Sequence, residues 1–194
     1  MILIRWLFIT LYAIATTLPA MVLTPIVVLL FADPGTGRLA RPFRWMETPD
    51  CLLPGDPNHV GRPSTEYDLS GWYWTAMRWL WRNPAYRATD WAKFRPLLAQ
   101  PGTAVNMMAS LVRLAGDAAI TESPYRGGFF YAVMDSGSER VFELYILIKW
   151  PFIDRCIRLR LGWKLAPWFN GKRYVPTDAD GMHVFSINPW MRCN

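Results

Sequence analysis

Hydrophobic and polar positions change their rhythm twice along this chain. From Trp6 to Ala32 there is no rhythm at all, because the 27 residues carry no charge and are almost wholly apolar. A helix needs about 20 such residues to cross the hydrocarbon of a bilayer, so residues 1–32 are predicted to form a membrane helix with length to spare for tilt. Pro19 and Pro25 are compatible with it, since membrane helices tolerate kinks, and a bend near Pro19 is expected. Trp6 and Tyr12 fall near its first end, where an aromatic belt would lie, and Phe31 completes the set of anchor positions. A cleaved signal peptide and a buried core helix are the competing readings. Arg5 would start the signal, and Ala13-Ile14-Ala15 would be its cleavage site. Cleavage there would strand a second apolar stretch on the mature chain, which favours a retained anchor.

The second regime, residues 33–70, is polar and aperiodic. Its many Pro and Gly residues forbid a long regular helix, so an extended connector is expected. Helical spacing then returns in "GWYWTAMRWLWRNP". Trp72, Met77, Leu80 and Trp81 can share one face there, and Asn83-Pro84 ends the helix. A further turn is expected to start at a Thr89 cap. Ala104 to Leu114 fits a helix stopped by Gly116, although its first half also suits a strand.

The third regime alternates with period two. "GFFYAVMDSGSERVFELYILIKWPF" predicts two strands about a turn at Asp135 to Glu139. "RCIRLRLGWKL" predicts a third strand. An Asn170-Gly171 turn, a returning strand and a last strand in "MHVFSINPW" complete the series. In the third strand Ile157, Leu159, Leu161 and Trp163 alternate with Arg158, Arg160 and Lys164, giving one apolar face and one basic face. The expected class is α+β: an N-terminal membrane helix, a Pro/Gly-rich connector, and short helices packed on an antiparallel β-meander of four to five strands. The domains are then 1–32, 33–70 and 71–194.

Composition sharpens this picture in two ways. Eleven Trp in 194 residues is a heavy load, and such rings concentrate at cores, recognition surfaces and the membrane boundary. The net charge of +6 rests on Arg far more than Lys. Arg suits phosphate, carboxylate and aromatic partners. Arg38, Arg41 and Arg44 come just after the apolar run, so the positive-inside bias places residues 33–194 in the cytoplasm.

Candidate chemistry is sparse. The stretch "ETPDCLLPGDPNHVG" gathers Glu47, Asp50, Asp56, Cys51 and His59 in one loop. Asp50 and Asp56 come after Pro49 and Gly55, natural turn positions, and the loop lacks the spacing of a calcium hand. Cys51, Cys156 and Cys193 are odd in number and far apart, so reduced thiols are expected, with no disulfide framework and no zinc site. A nucleophilic pair of Cys51 or Cys156 with His183 would need contact across the fold. No G-x-S-x-G and no phosphate loop occurs. No catalytic residue, metal or cofactor is therefore expected. Arg155, Arg158, Arg160 and Lys164, interleaved with Trp163 and Trp168, form the best surface signal. Three readings stand for it: pairing with the acidic connector, contact with lipid or protein, and binding of nucleic acid, the least favoured. The first expects Asp50 or Asp56 within salt-bridge distance of an Arg in 155–160.

The order "ETPD…LPGD", "WLWRNPAY", "RCIRLRLGWKL" and "FSINPW" resembles a family of uncharacterised proteins encoded by tailed bacteriophages and prophages. The likeness covers the chain from about residue 43 onward and supplies no catalytic residues. It implies a viral source and a membrane-linked life in an infected bacterium. The expected function is a membrane-anchored, non-enzymatic protein that binds a host or phage protein at the inner membrane. The alternatives are a virion component whose apolar segment packs against other subunits and, third, a membrane-bound hydrolase or nucleic-acid enzyme.

Overall fold

The computed structural model describes residues 1–49, 51–55, 69–94, 111–121, 127–135, 139–169 and 181–193. The protein is α+β, as the patterning predicts. It divides into two compact units: Met1–Thr10 with Ala92–Asn194, and Leu11–Trp91. The boundary falls inside the first helix, α1 (Ile2–Phe31), which runs through both prolines.

The larger unit is a five-stranded antiparallel meander in chain order. Its strands are β3 (Leu111–Gly116), β4 (Gly128–Asp135), β5 (Arg140–Lys149), β6 (Arg155–Trp163) and β7 (His183–Arg192). The two hairpin strands and the last strand lie where alternation puts them. Strand β3 corrects an expectation, since Leu111 to Leu114 are not the end of a helix. Leu111, Arg113 and Leu114 stand opposite Met134, Val133 and Ala132 of β4, and that ladder outweighs an ambiguous local pattern. Gly116 sits at φ +79, where a Cβ would lie 2.0 Å from the Phe129 carbonyl oxygen, so it is a close-approach glycine in a strand. Residues 104–110, the Asn170-Gly171 turn and the strand expected after it lie outside the described residues.

Strand β6 alternates as predicted, but its basic face is the one turned to the core. Register sets Tyr145 opposite Arg160, Leu147 opposite Arg158 and Glu143 opposite Gly162. Glu143, Tyr145 and Leu147 are all buried, alongside Phe130, Ala132 and Met134 of β4. The other face is lined by Leu144, Ile146, Ile157, Leu159 and Leu161, all half-buried, and ends in exposed Ile148 and Ile187. At one end of that face the first turns of α1 pack. Trp6 lies edge-on to Phe142 at 5.9 Å, and its indole N–H donates to the Val184 carbonyl at 3.4 Å.

In the second unit, α1 continues from Leu11 into a two-residue hairpin, β1 (Ala32–Asp33) with β2 (Arg38–Leu39). A 3-10 turn over Arg41–Met46 comes next, so the first part of the connector is folded. Leu39, Met46 and Leu53 pack with Ala20, Val27 and Val28 of α1 in one buried cluster. Helix α2 (Leu69–Arg82) stops just before Asn83-Pro84, as read from the sequence. Its buried stripe is Trp72, Ala76, Trp79 and Leu80, whereas Trp81 points outward. The next turn, Tyr86–Ala92, begins three residues before Thr89, whose hydroxyl donates back to the Tyr86 carbonyl at 3.2 Å instead of capping.

Candidate functional site

The element with the greatest reach into function is α1 itself. It is 30 residues long, carries no charge beyond Arg5, and is long and apolar enough to cross a membrane. Leu3, Ile4, Leu7, Leu11, Leu18, Val22 and Ile26 expose apolar surface at helical spacing. Proline at 25 brings no N–H to the Met21 carbonyl one turn back, an expensive vacancy in hydrocarbon. The Trp81 indole fills it, donating to the Met21 carbonyl oxygen at 2.9 Å. Of the anchor residues chosen from sequence, Tyr12 is exposed and edge-on to Trp91 at 6.1 Å, and Phe31 stacks with Phe43 at 4.8 Å. Pro19 and Pro25 lie within the helix. Trp6 is taken up by the packing of the sheet unit and is not a free belt residue.

The acidic loop is represented by Glu47, which is 2% exposed. Its carboxylate accepts the Leu39 N–H at 2.7 Å and an Arg38 guanidinium N–H at 3.1 Å, and Arg87 approaches to 4.0 Å. The Glu47 main-chain carbonyl accepts the Arg87 N–H at 3.0 Å. Glu47 therefore joins three segments of its own unit. Asp50, Asp56 and His59 lie outside the described residues, and so does the expected pairing of Asp50 or Asp56 with β6.

The arginines of β6 have partners within the sheet unit. Arg160 donates to Glu143 Oε1 at 2.6 Å, and the other oxygen of that wholly buried carboxylate accepts the Leu165 and Ala166 N–H groups at 2.5 and 2.6 Å. Arg158 donates to the Ser186 hydroxyl at 3.0 Å. Burial raises the Tyr145 hydroxyl above its usual range, and the two arginines, which stabilise its phenolate, oppose that with smaller effect. Arg155 stacks on Trp190, 5.5 Å from the ring centre, and Lys164 is half-buried. Arg158 and Arg160 are thus interior groups, not an open basic surface. Alternation alone does not single out Glu143, although it is the sole charge in the apolar run Val141 to Ile148. An isolated charge in such a run calls for a buried partner.

Cys156 and His183 do not meet. Trp163 faces His183 in the β6–β7 register, and Cys156 faces Met191 seven residues earlier on β6. That is about 23 Å of strand. Cys156 and Cys193 form a disulfide with Cα atoms 5.8 Å apart, which corrects the expectation of reduced thiols. The pairing of β6 with β7 brings together two residues separated by 37 in sequence, so spacing alone gave no sign of it. His183 is buried, 3.0 Å from the Thr10 hydroxyl through Nε2, and stands perpendicular to Trp163. Burial depresses its pKa to about 4, against a smaller opposing effect of the Trp6 carbonyl. Among the described residues, no group of three His, Cys, Asp or Glu is placed to hold a metal.

The described residues define an α+β protein with one long apolar helix, in which the buried Glu143 and Glu47 each brace their own unit. The chain belongs to a family of unknown function, DUF7338, which it matches over residues 1–194. No curated protein and no solved structure matches it.

Proposed function

We propose that this is a membrane-anchored protein of phage origin that acts by binding a host or phage protein at the bacterial inner membrane, without catalysis. The observation that carries the reading is the outward surface of α1, apolar or aromatic at every exposed position from Leu7 to Phe31. Such a surface is costly in water and favourable in lipid. Among the described residues, His183, Glu143 and Glu47 are engaged in packing and hydrogen bonds, which favours a structural use of these groups. The phage setting rests on the order of the sequence motifs. Arg38, Arg41 and Arg44 favour a cytoplasmic position for the chain beyond the helix. A disulfide between Cys156 and Cys193 favours an oxidising one. Thiol labelling in intact cells before and after reduction decides between them.

The anchor is tested by sedimentation and carbonate extraction of the full chain. The expected outcome is retention in the membrane pellet. Leu18→Arg with Val22→Arg, both at exposed positions, should release it, since each charge at a helix centre costs about 2.5–3.5 kcal/mol. Full solubility of the unaltered chain after carbonate refutes the anchor. Abundance in purified particles would instead identify a virion component.

A further inference from the structure

We infer that the turn joining β5 to β6, with the uncovered end of the apolar sheet face behind it, is a second lipid-contact surface that inserts into an anionic leaflet. Trp150, Phe152 and Ile153 occupy the tip of this turn, and all three are exposed. Phe152 is 103% exposed and held at φ +69, a backbone region that bulky residues rarely enter. A side chain with no neighbours, displayed at the cost of backbone strain, has its partner outside the protein.

The turn is firmly built. The Trp150 N–H donates to the Arg155 carbonyl at 2.8 Å, and the Arg155 N–H donates to that of Ile153 at 2.8 Å. The Trp150 indole donates to the Pro189 carbonyl at 3.2 Å, which ties the tip to β7 beside Trp190. Behind the tip, Ile148 faces Ile157 in register, and Leu159 faces Ile187.

Two features select lipid over a second copy or another protein. Trp150 and Trp190 flank the tip, as indoles do at the hydrocarbon boundary. Lys149 and Arg155 bracket the tip at its base, with Asp154 3.9 Å from the Lys149 ammonium, so the turn keeps one net positive charge for anionic headgroups while the aromatics insert. The apolar face also continues to Phe185, which touches Trp6 of α1 at 6.2 Å. The inference rests on the membrane reading of α1 and adds a contact that α1 does not supply.

The test uses the full chain with Cys51→Ser, reconstituted into vesicles of phosphatidylethanolamine and phosphatidylglycerol. An environment-sensitive fluorophore is attached at Phe152→Cys in one sample and at Leu18→Cys in another. Both emissions should shift to the blue and be quenched by lipid-borne nitroxides but not by aqueous iodide. Removing one charge with Lys149→Gln should weaken engagement of the tip about fivefold. A label at 152 that iodide quenches, beside a lipid-quenched label at 18, overturns this inference and leaves the anchor standing. Labels quenched by iodide at both positions overturn both. A label at 152 shielded from iodide and nitroxide alike means that protein covers the tip, which also overturns it.

Discussion

Glu143 in the sheet unit and Glu47 in the helix-and-hairpin unit are both buried carboxylates in apolar surroundings, but they are held to different standards. Glu143 is sealed completely: one oxygen takes Arg160 at 2.6 Å and the other takes two main-chain N–H groups. Arg160 itself is only 17% exposed. Glu47 accepts one main-chain N–H and one close guanidinium, with a second at 4.0 Å, and those arginines are 31% and 38% exposed. A buried ion is tolerated when its lone pairs are filled and its partner cannot recover water elsewhere. By that measure Glu143 fixes where strands β5 and β6 meet the chain after Trp163. Glu47 joins segments that retain partial access to solvent.

The sharpest way to break this contrast is Glu143→Ala, which strands Arg160 and two amides in the interior. A loss of about 3–5 kcal/mol is expected. It should appear as faster hydrogen exchange across β5 and β6, with the Leu11–Trp91 unit unaffected. A loss below about 1 kcal/mol would mean that Arg160 rehydrates freely, and the two sites would then be alike.

Acid probes the sheet unit from another side. The unfolded chain takes up the His183 proton near its ordinary pKa of 6.5, and the folded chain only near pH 4. Stability from this group is therefore complete above about pH 6.5 and declines as pH falls toward 4, by on the order of 3 kcal/mol in all. Among the described residues no histidine lies in the other unit, so the sheet should open first when pH is lowered. His183→Gln should flatten that dependence, and unfolding curves at several pH values will show whether it does.

Smaller effects belong to the second unit. Glu47→Ala should cost about 1–3 kcal/mol, because Arg38 and Arg87 can turn to solvent once the carboxylate is gone. Protease sensitivity of the hairpin and of the Tyr86–Ala92 turn would report it. Trp81→Phe keeps an aromatic side chain, though a smaller one, and removes the N–H donor to Met21. About 0.5–1.5 kcal/mol is expected, seen as increased exchange near Pro25 in detergent.

The parts of this fold legible in the sequence were those with a local cause. An uncharged run gave α1, Asn83-Pro84 gave the end of α2, and alternation gave β4 to β7. What escaped was decided by partners distant in the chain. The alternation of β6 does not say which face is inside, because an arginine can be buried when Glu143 waits on the neighbouring strand. Trp79 and Trp81 are two residues apart and equally aromatic. Only the packing of the hairpin segment chooses Trp79 for the core, where its indole donates to the Thr48 hydroxyl at 3.1 Å. The heavy Trp content also has a plainer use than an aromatic belt. The indoles of Trp6, Trp81, Trp150 and Trp163 each donate to a main-chain carbonyl distant in sequence.

The bond from Trp81 to Met21 also bears on synthesis. The two residues are 60 apart in the chain, so at about 5–20 residues per second the ribosome supplies the indole some 3–12 s after the carbonyl. During that interval α1 carries an unfilled acceptor at its proline. A transient donor such as water serves that carbonyl until α2 arrives. Completion of the helix is thus timed by translation of a segment that lies outside it.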